Sequence, residues 1–109
     1  MSYPHTPDGR YFVAKGRLWR CSNPNLDPDE RQGWVNTLMA ARRAVRDADT
    51  ESAEKKARAR VDNAKQALGE RGPVWWDDNA PDESRFKPDN SSYADWWRGL
   101  SRAEREAGG

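Results

Sequence analysis

The sequence predicts an α+β protein with an N-terminal β-hairpin, an antiparallel two-helix hairpin and a Trp-rich C-terminal segment. Two short runs of β-forming residues are separated by a two-residue loop that contains glycine, which is typical of a β-hairpin. Two segments then repeat apolar residues at helical spacing, and each has its own start signal. Four of the six tryptophans follow residue 74. These observations place the strands, the helices and most of the tryptophans in separate parts of the chain.

The β-hairpin is predicted over residues 10–21, with Lys15-Gly16 as its turn. A two-residue connection fixes the register of the strands on either side. The expected cross-strand pairs are Tyr11 with Arg20, Phe12 with Trp19, and Val13 with Leu18. Because apolar side chains then occur on both faces, we expect each face to be at least partly covered.

The first helix is predicted from Asp27 to about Ala48. Asp27 supplies an N-cap acceptor, Pro28 suits the first helical position, and Glu30 completes the start signal. Its apolar stripe comprises Trp34, Val35, Leu38, Ala41 or Arg42, and Val45.

The second helix is predicted from about Thr50 to Leu68, because Asp and Thr residues at 47–51 favour caps over helix interiors. One continuous helix through this segment is the alternative. Gly69, followed by Gly72 and Pro73, is expected to end the second helix. Its stripe is mostly small: Ala53, Ala57, Val61, Ala64 and Leu68.

The last third of the chain predicts mostly irregular structure. A capping-box pattern at Ser92–Asp95 is expected to open one short helix. We therefore divide the chain into a flexible arm at 1–9, one α+β domain at 10–100, and a solvated tail at 101–109.

The composition is poor in aliphatic residues, which limits how the core can be built. The chain has 109 residues, 34% of them charged, contains no isoleucine, and has twelve Leu, Val and Phe residues in all. Such a composition would favour disorder if the net charge were high, but the formal net charge is only +1. Each tryptophan can bury about 200 Å². We therefore expect a folded core of Trp and Ala that contains most of the six indole rings.

The residues that could carry catalysis or bind a metal are few. His5 is the single histidine and lies in the arm, and Cys21 is the single cysteine, so a zinc site is excluded by number. No glycine-rich phosphate loop is present. We expect no enzyme activity, no cofactor and no metal, and an enzyme built on Asp77, Asp78 and Arg71 ranks last among the alternatives.

Location and assembly follow from what the sequence lacks. It contains no apolar run of membrane-spanning length, and one cysteine forms no internal disulfide. The sequence thus predicts a cytoplasmic protein without membrane association, present as a monomer or weak dimer.

The hairpin combines positive charge with aromatic rings. Arg10, Lys15, Arg17 and Arg20 alternate with Tyr11, Phe12 and Trp19. Cationic side chains beside stacking rings are typical of single-stranded nucleic-acid binding. The segment 77–95 carries six acidic residues against two basic ones, so it offers an alternative in which the hairpin charge is neutralised within the fold.

The Trp75-Trp76 dipeptide suggests a protein-binding face. Consecutive residues of an extended segment point to opposite sides, so one ring can lie in the core while the other meets a partner. The favoured function is a non-catalytic protein-interaction module whose face includes Trp19, Arg20 and the exposed ring of Trp75 or Trp76. The alternative is a nucleic-acid binder that uses Arg10, Arg17, Trp19 and Arg20.

Two motifs resemble a known family. Residues 16–24 read GRLWRCSNP and residues 67–76 read ALGERGPVWW. They resemble a family of small uncharacterised bacterial proteins, and the likeness covers about residues 10–97. Members are sometimes labelled Tol-type biopolymer transporters, but this chain has neither a membrane-length apolar run nor β-propeller repeats. The resemblance implies a bacterial source and a cytosolic setting.

Overall fold

The computed structural model describes residues 3–109 of the chain. This part contains two short strands and four helices. The predicted α+β class, with its β-hairpin and two-helix hairpin, is confirmed. The described residues form two units: the hairpin unit, residues 3–21 and 76–109, and the helical unit, Ser22–Trp75. The elements are β1 (Tyr11–Ala14), β2 (Arg17–Arg20), α1 (Pro28–Asp47), α2 (Glu51–Leu68), a 3₁₀ turn (Pro88–Asn90), α3 (Ala94–Arg98) and α4 (Arg102–Ala107).

The β-hairpin has the predicted register. β1 pairs antiparallel with β2 through Tyr11 with Arg20, Phe12 with Trp19, and Val13 with Leu18. Lys15 and Gly16 both have positive φ, 54° and 74°, as a two-residue turn matched to strand twist requires. Tyr11, Val13, Leu18 and Arg20 are buried on one face, whereas Phe12 and Trp19 are half-buried on the other.

The core of the hairpin unit is built from aromatic rings joined to polar groups. The Tyr11 ring makes edge contacts with Trp76 and Tyr93, at centroid distances of 5.6 and 5.5 Å. Its hydroxyl accepts a hydrogen bond from the Glu83 backbone N–H at 2.8 Å. The Tyr93 hydroxyl donates to Asp8 at 2.7 Å. The buried Tyr11 and the half-buried Tyr93 therefore supply apolar area while their hydroxyls remain hydrogen-bonded.

The predicted arm is hydrogen-bonded to β1 over its described part. The Val13 N–H donates to the Pro4 carbonyl, and the Thr6 N–H donates to the Tyr11 carbonyl, both at 2.9 Å. Thr6 is only 3% exposed. The first two residues of the predicted arm lie outside the described residues.

The two helices of the helical unit are separate, so the alternative of one continuous helix is wrong. Asp27 caps α1 by accepting from the Asp29 and Glu30 backbone N–H groups. Thr50 caps α2 by accepting from the Ala53 N–H. These caps satisfy N–H groups that the first turn of a helix leaves without partners. The buried hydrophobic residues of this unit are Leu38, Ala41, Ala57, Ala64 and Leu68.

Gly69 ends α2 in a left-handed conformation with φ of 84°, as its sequence position predicted. The site is also crowded, because a β-carbon at Gly69 would lie 3.0 Å from both the Asn23 Cβ and the Trp75 Cδ1. The Asn23 N–H donates to the Leu68 carbonyl at 2.8 Å. Glycine therefore lets the loop before α1 approach the end of α2.

The predicted capping box at Ser92–Asp95 is wrong. α3 begins at Ala94 without a side-chain cap, and the Ser91 hydroxyl instead accepts from the Tyr93 N–H at 3.1 Å. A capping box does occur at Ser101 and Glu104, where it opens α4 within the predicted tail. Residues 102–106 are exposed on that helix.

The prediction that most tryptophans lie in the core is also wrong. Trp76 is 8% exposed, and the other five rings are half-buried. Alanines fill much of the interior of the helical unit, and Tyr11, Val13 and Leu18 much of that of the hairpin unit, so fewer indoles are needed there. Within residues 3–109, no helix is both long enough and apolar enough to span a membrane.

Candidate binding surface

Two of the predicted cationic residues are neutralised within the hairpin unit. The Arg10 guanidinium pairs with Asp78 and lies 4.8 Å over the centre of the Trp76 ring. The Arg10 hydrogen bond lowers the pKa of the Asp78 carboxyl below its usual value. Arg20 is 5% exposed, and its Nε lies 3.8 Å from the Asp82 Oδ1. For Arg10 and Arg20, the contacts match the alternative in which the acidic segment 77–95 neutralises the hairpin.

Asp82 is held ionised beside Arg20. Burial favours the neutral acid and would raise the pKa of the Asp82 carboxyl. Hydrogen bonds from the Ser84 hydroxyl and N–H, together with the Arg20 charge, outweigh burial and bring that pKa below its usual value. Arg20 therefore faces a carboxylate and acts as a structural cation.

Arg17 and Trp19 lie on the outer part of the hairpin. Arg17 is exposed, and its Nη1 donates to the Arg85 carbonyl at 3.0 Å. The Trp19 Nε1 donates to the Ala14 carbonyl at 2.9 Å, which orients the half-buried indole. Of the four hairpin residues predicted to bind a ligand, these two remain able to contact one.

Backbone pairing brings a second basic segment to β2. The Leu18 N–H donates to the Phe86 carbonyl at 3.0 Å, and the Arg85 N–H donates to the Leu18 carbonyl at 2.7 Å. Residues 85–86 thus occupy the edge of β2 that β1 leaves open. Arg85 has φ of 72°, a conformation that costs a non-glycine residue about 1–2 kcal/mol. Its guanidinium lies 6.0 Å from the centre of the Trp19 ring.

A shallow depression of about 350 Å³ results from this pairing. We call its lining the basic patch: Arg17, Arg85, Phe86, Lys87 and Asn90. All five residues are exposed, and the Phe86 ring is 46% exposed. No carboxylate lines the depression. Within residues 3–109, none of its three cations forms an ion pair.

The Trp75-Trp76 dipeptide is divided between the two units. Trp76 is buried in the hairpin unit, and its Nε1 donates to the Ala80 carbonyl at 2.7 Å. Trp75 is half-buried in the helical unit. Because Arg20 and Trp76 are both buried, they contribute structure rather than contact area to a partner-binding face.

Two of the residues named for an enzyme each form an ion pair within their own unit. Arg71 pairs with Asp62 in the helical unit, whereas Asp78 pairs with Arg10 in the hairpin unit. The His5 ring lies 5.9 Å from the Phe12 ring. Throughout the described part of the chain, no three His, Cys, Asp or Glu residues are grouped so that they could hold a metal ion.

Sequence reasoning missed the four residues of the basic patch that follow residue 84. Arg85 and Lys87 entered only as the two bases of an acidic segment, and Phe86 was not singled out. The available signal was the triplet Arg85-Phe86-Lys87, in which an aromatic ring lies between two cations. Its backbone pairing with Leu18 could not be anticipated, because residues 79–90 carry no strand pattern.

No family model matches the chain, and no curated protein or solved structure shows significant similarity to it.

Proposed function

We propose that the protein is a non-catalytic binding module and that its ligand is a single strand of nucleic acid held at the basic patch. One observation carries this proposal: Arg17, Arg85 and Lys87 surround an exposed phenylalanine without an ion pair among the described residues. Three uncompensated cations attract phosphate, and an exposed ring offers a base a surface on which to stack.

The arrangement suits a strand better than a duplex. The depression is shallow and open, so a chain can pass across it. Phe86 exposes an aromatic ring, and Asn90 adds an amide that both donates and accepts hydrogen bonds. In a duplex the bases stack on each other, and a protein ring must displace one to stack on it, whereas the bases of a single strand are already accessible.

The charge is local rather than global. The formal net charge of the chain is only +1, so long-range attraction to a polyanion is weak. With three phosphate contacts, log K is expected to fall with log salt at a slope of about −2, from about −0.7 per contact on a single strand. We therefore expect binding of modest affinity that is readily reversed by salt.

A protein partner is the second candidate, and the exposed Phe86 next to Arg17 favours it. Aromatic and arginine side chains are the usual anchors of protein interfaces. The predicted protein-binding face, which included Trp19, Arg20 and Trp75 or Trp76, would then be replaced by the basic patch. Such binding would depend less on salt, because apolar contact would supply more of the free energy.

Fluorescence anisotropy with a labelled, mixed-sequence single-stranded RNA of about 12 nucleotides tests the proposal, within the size range of known single-strand sites. Phe86→Ala should weaken binding by about 5- to 150-fold, the loss of one stacked base, whereas Phe86→Tyr should retain most of the affinity. Lys87→Gln should weaken binding and make the salt slope less steep by about 0.7.

The matched control for the charge variant is Lys55→Gln, an exposed lysine of α2 in the helical unit. An equal loss in Lys55→Gln and Lys87→Gln would show that binding is non-specific and contradict the site. No binding at low salt would reject the nucleic-acid ligand and leave the protein partner as the candidate.

A further inference from the structure

A second basic depression lies within the helical unit. Its volume is about 230 Å³, and it is lined by Arg42, Val45, Arg58, Val61 and Arg71. Each helix contributes an Arg and a Val spaced three residues apart, Arg42 with Val45 on α1 and Arg58 with Val61 on α2. Residues at this spacing lie on one face of a helix. Each helix therefore presents one arginine and one valine to the depression, and Arg71 adds a third cation.

The three arginines have different partners. The Arg58 Nε and Nη2 donate to the Glu54 Oε1 at 3.1 and 2.8 Å. The Arg71 Nη1 donates to the Asp62 Oδ1 at 3.2 Å. A guanidinium has five N–H donors, so both residues keep donors for a ligand while a carboxylate holds them in place.

Arg42 is the cation whose charge is uncompensated. It is exposed, and within residues 3–109 its side chain forms no hydrogen bond or ion pair. Three guanidiniums against the two carboxylates of Glu54 and Asp62 leave one positive charge in excess. The depression is thus complementary to a single negative charge.

The floor of the depression is apolar. Val45 and Val61 are half-buried, and Val61 packs against the cluster of Leu38, Ala64 and Leu68. No aromatic ring lines the depression, so it lacks the stacking surface of the basic patch. Its volume corresponds to about eight water molecules at about 30 Å³ each, enough for a short aliphatic chain.

We propose that this depression binds a carboxylate that carries a short aliphatic chain, with the carboxylate on Arg42 and the chain on the two valines. The ligand chemistry is shared by a free short-chain acid and by the C-terminal aliphatic residue of a peptide. The site is independent of the basic patch and does not depend on the function proposed there.

This proposal is tested by titrating the whole protein with valerate and monitoring the NMR signals of the arginine Nε–H groups. Valerate should shift the signals of Arg42, Arg58 and Arg71 saturably. Acetate, which has the charge but little chain, and pentanol, which has the chain without charge, should each bind about tenfold more weakly or worse.

Neighbouring arginines provide the matched variants. Arg42→Gln should weaken valerate binding by about tenfold or more, because it removes a charged hydrogen-bond donor. Arg43→Gln should leave affinity unchanged, since Arg43 is exposed on the same turn of α1 but does not line the depression. Val45→Thr keeps the side-chain shape and should reduce the preference for valerate over acetate.

A pair of short peptides that end in valine, one with a free and one with an amidated C-terminus, distinguishes the two sources. Binding of the free peptide more tightly than valerate would assign the site to a protein terminus, and the reverse would assign it to a free acid. The proposal is overturned if valerate produces no saturable shift, if acetate binds as tightly, or if both arginine variants behave alike. Lys87→Gln should leave valerate binding unchanged, so failure here and failure at the basic patch are distinguishable.

Discussion

The hairpin unit and the helical unit build their interiors from different side chains. In the hairpin unit, Tyr11 packs against Trp76 and Tyr93 while its hydroxyl accepts from the Glu83 N–H. In the helical unit, alanines predominate among the buried residues, with Ala41 and Ala64 both 0% exposed. A chain with no isoleucine and few other large aliphatic residues has thus formed cores in two ways.

The difference predicts what each unit is sensitive to. Small residues let helices approach closely, so the helical unit depends on the volume of its few larger side chains. The hairpin unit depends in addition on whether its buried hydroxyls remain protonated and hydrogen-bonded. Substitutions that change volume should act on the former, and pH should act on the latter.

The largest expected effect is that of Leu68→Ala in the helical unit. Leu68 is 1% exposed and packs with Leu38 and Ala64, so truncation leaves a cavity that small neighbours cannot fill. We expect a loss of about 2–5 kcal/mol in the free energy of unfolding, measured by urea denaturation. Met39→Ala, at a site 53% exposed on α1, should change stability by less than about 0.5 kcal/mol. Equal effects at the two sites would contradict tight packing around Leu68.

A smaller and pH-dependent effect is expected for Tyr11→Phe in the hairpin unit. Burial raises the pKa of the Tyr11 hydroxyl to about 12, although the hydrogen bond from the Glu83 N–H acts in the opposite direction. Removing the hydroxyl leaves that part-buried N–H without its acceptor, which costs about 1–3 kcal/mol. At neutral pH, urea denaturation should therefore show the variant to be less stable by that amount.

The sign of the pH dependence follows from the raised pKa. The folded protein favours the neutral Tyr11 hydroxyl. The contribution of this hydroxyl to the free energy of unfolding is therefore complete below the pKa of the unfolded chain, near 10, and is lost as pH rises through the folded pKa of about 12. The stability difference between the natural protein and Tyr11→Phe should shrink over that range. Tyr3→Phe, at a ring that is 49% exposed, serves as the control. A difference that stays constant from pH 8 to 12 would show that Tyr11 is not coupled to the fold through its hydroxyl.

The smallest expected effects separate two glycines of the helical unit. Gly33 lies within α1 with open space around its Cα, so Gly33→Ala should stabilise the protein by about 0.5–1 kcal/mol. Gly69→Ala should destabilise it by about 1 kcal/mol or more, since the residue has φ of 84° and a β-carbon would meet Asn23 and Trp75. Thermal denaturation of both variants provides the measurement. Stabilisation by Gly69→Ala would show that packing at the end of α2 is loose, and destabilisation by Gly33→Ala would contradict the open space at that residue.

Local signals predicted most of the secondary structure. Lys15-Gly16 determined the strand register, Asp27-Pro28 the start of α1, and Gly69 the end of α2. Each signal acts within a few residues, so it can be recognised without the rest of the chain. The cap of α3 was misplaced because Ser91 and Ser92 are both suitable acceptors, and sequence alone does not decide which hydroxyl reaches the backbone.

The binding surface was less predictable because it depends on contacts between distant segments. Arg10 and Asp78 are 68 residues apart, and only the folded chain shows that they pair. The same is true of Leu18 with residues 85–86, whose pairing brings Arg85 and Phe86 beside Arg17. A charge count offered neutralisation of the hairpin by acidic residues as an alternative, but it could not distinguish Arg10 and Arg20 from Arg17.

The adjacent rings of Trp96 and Trp97 have a spectroscopic consequence. Their centroids are 6.2 Å apart and their planes cross at 51°. Two identical chromophores that are close and not parallel couple their electronic transitions, which gives a pair of circular dichroism bands of opposite sign. Replacing either indole with phenylalanine removes that exciton couplet while the other ring still absorbs. The second tryptophan pair therefore provides an optical marker of order in α3 that requires no added label.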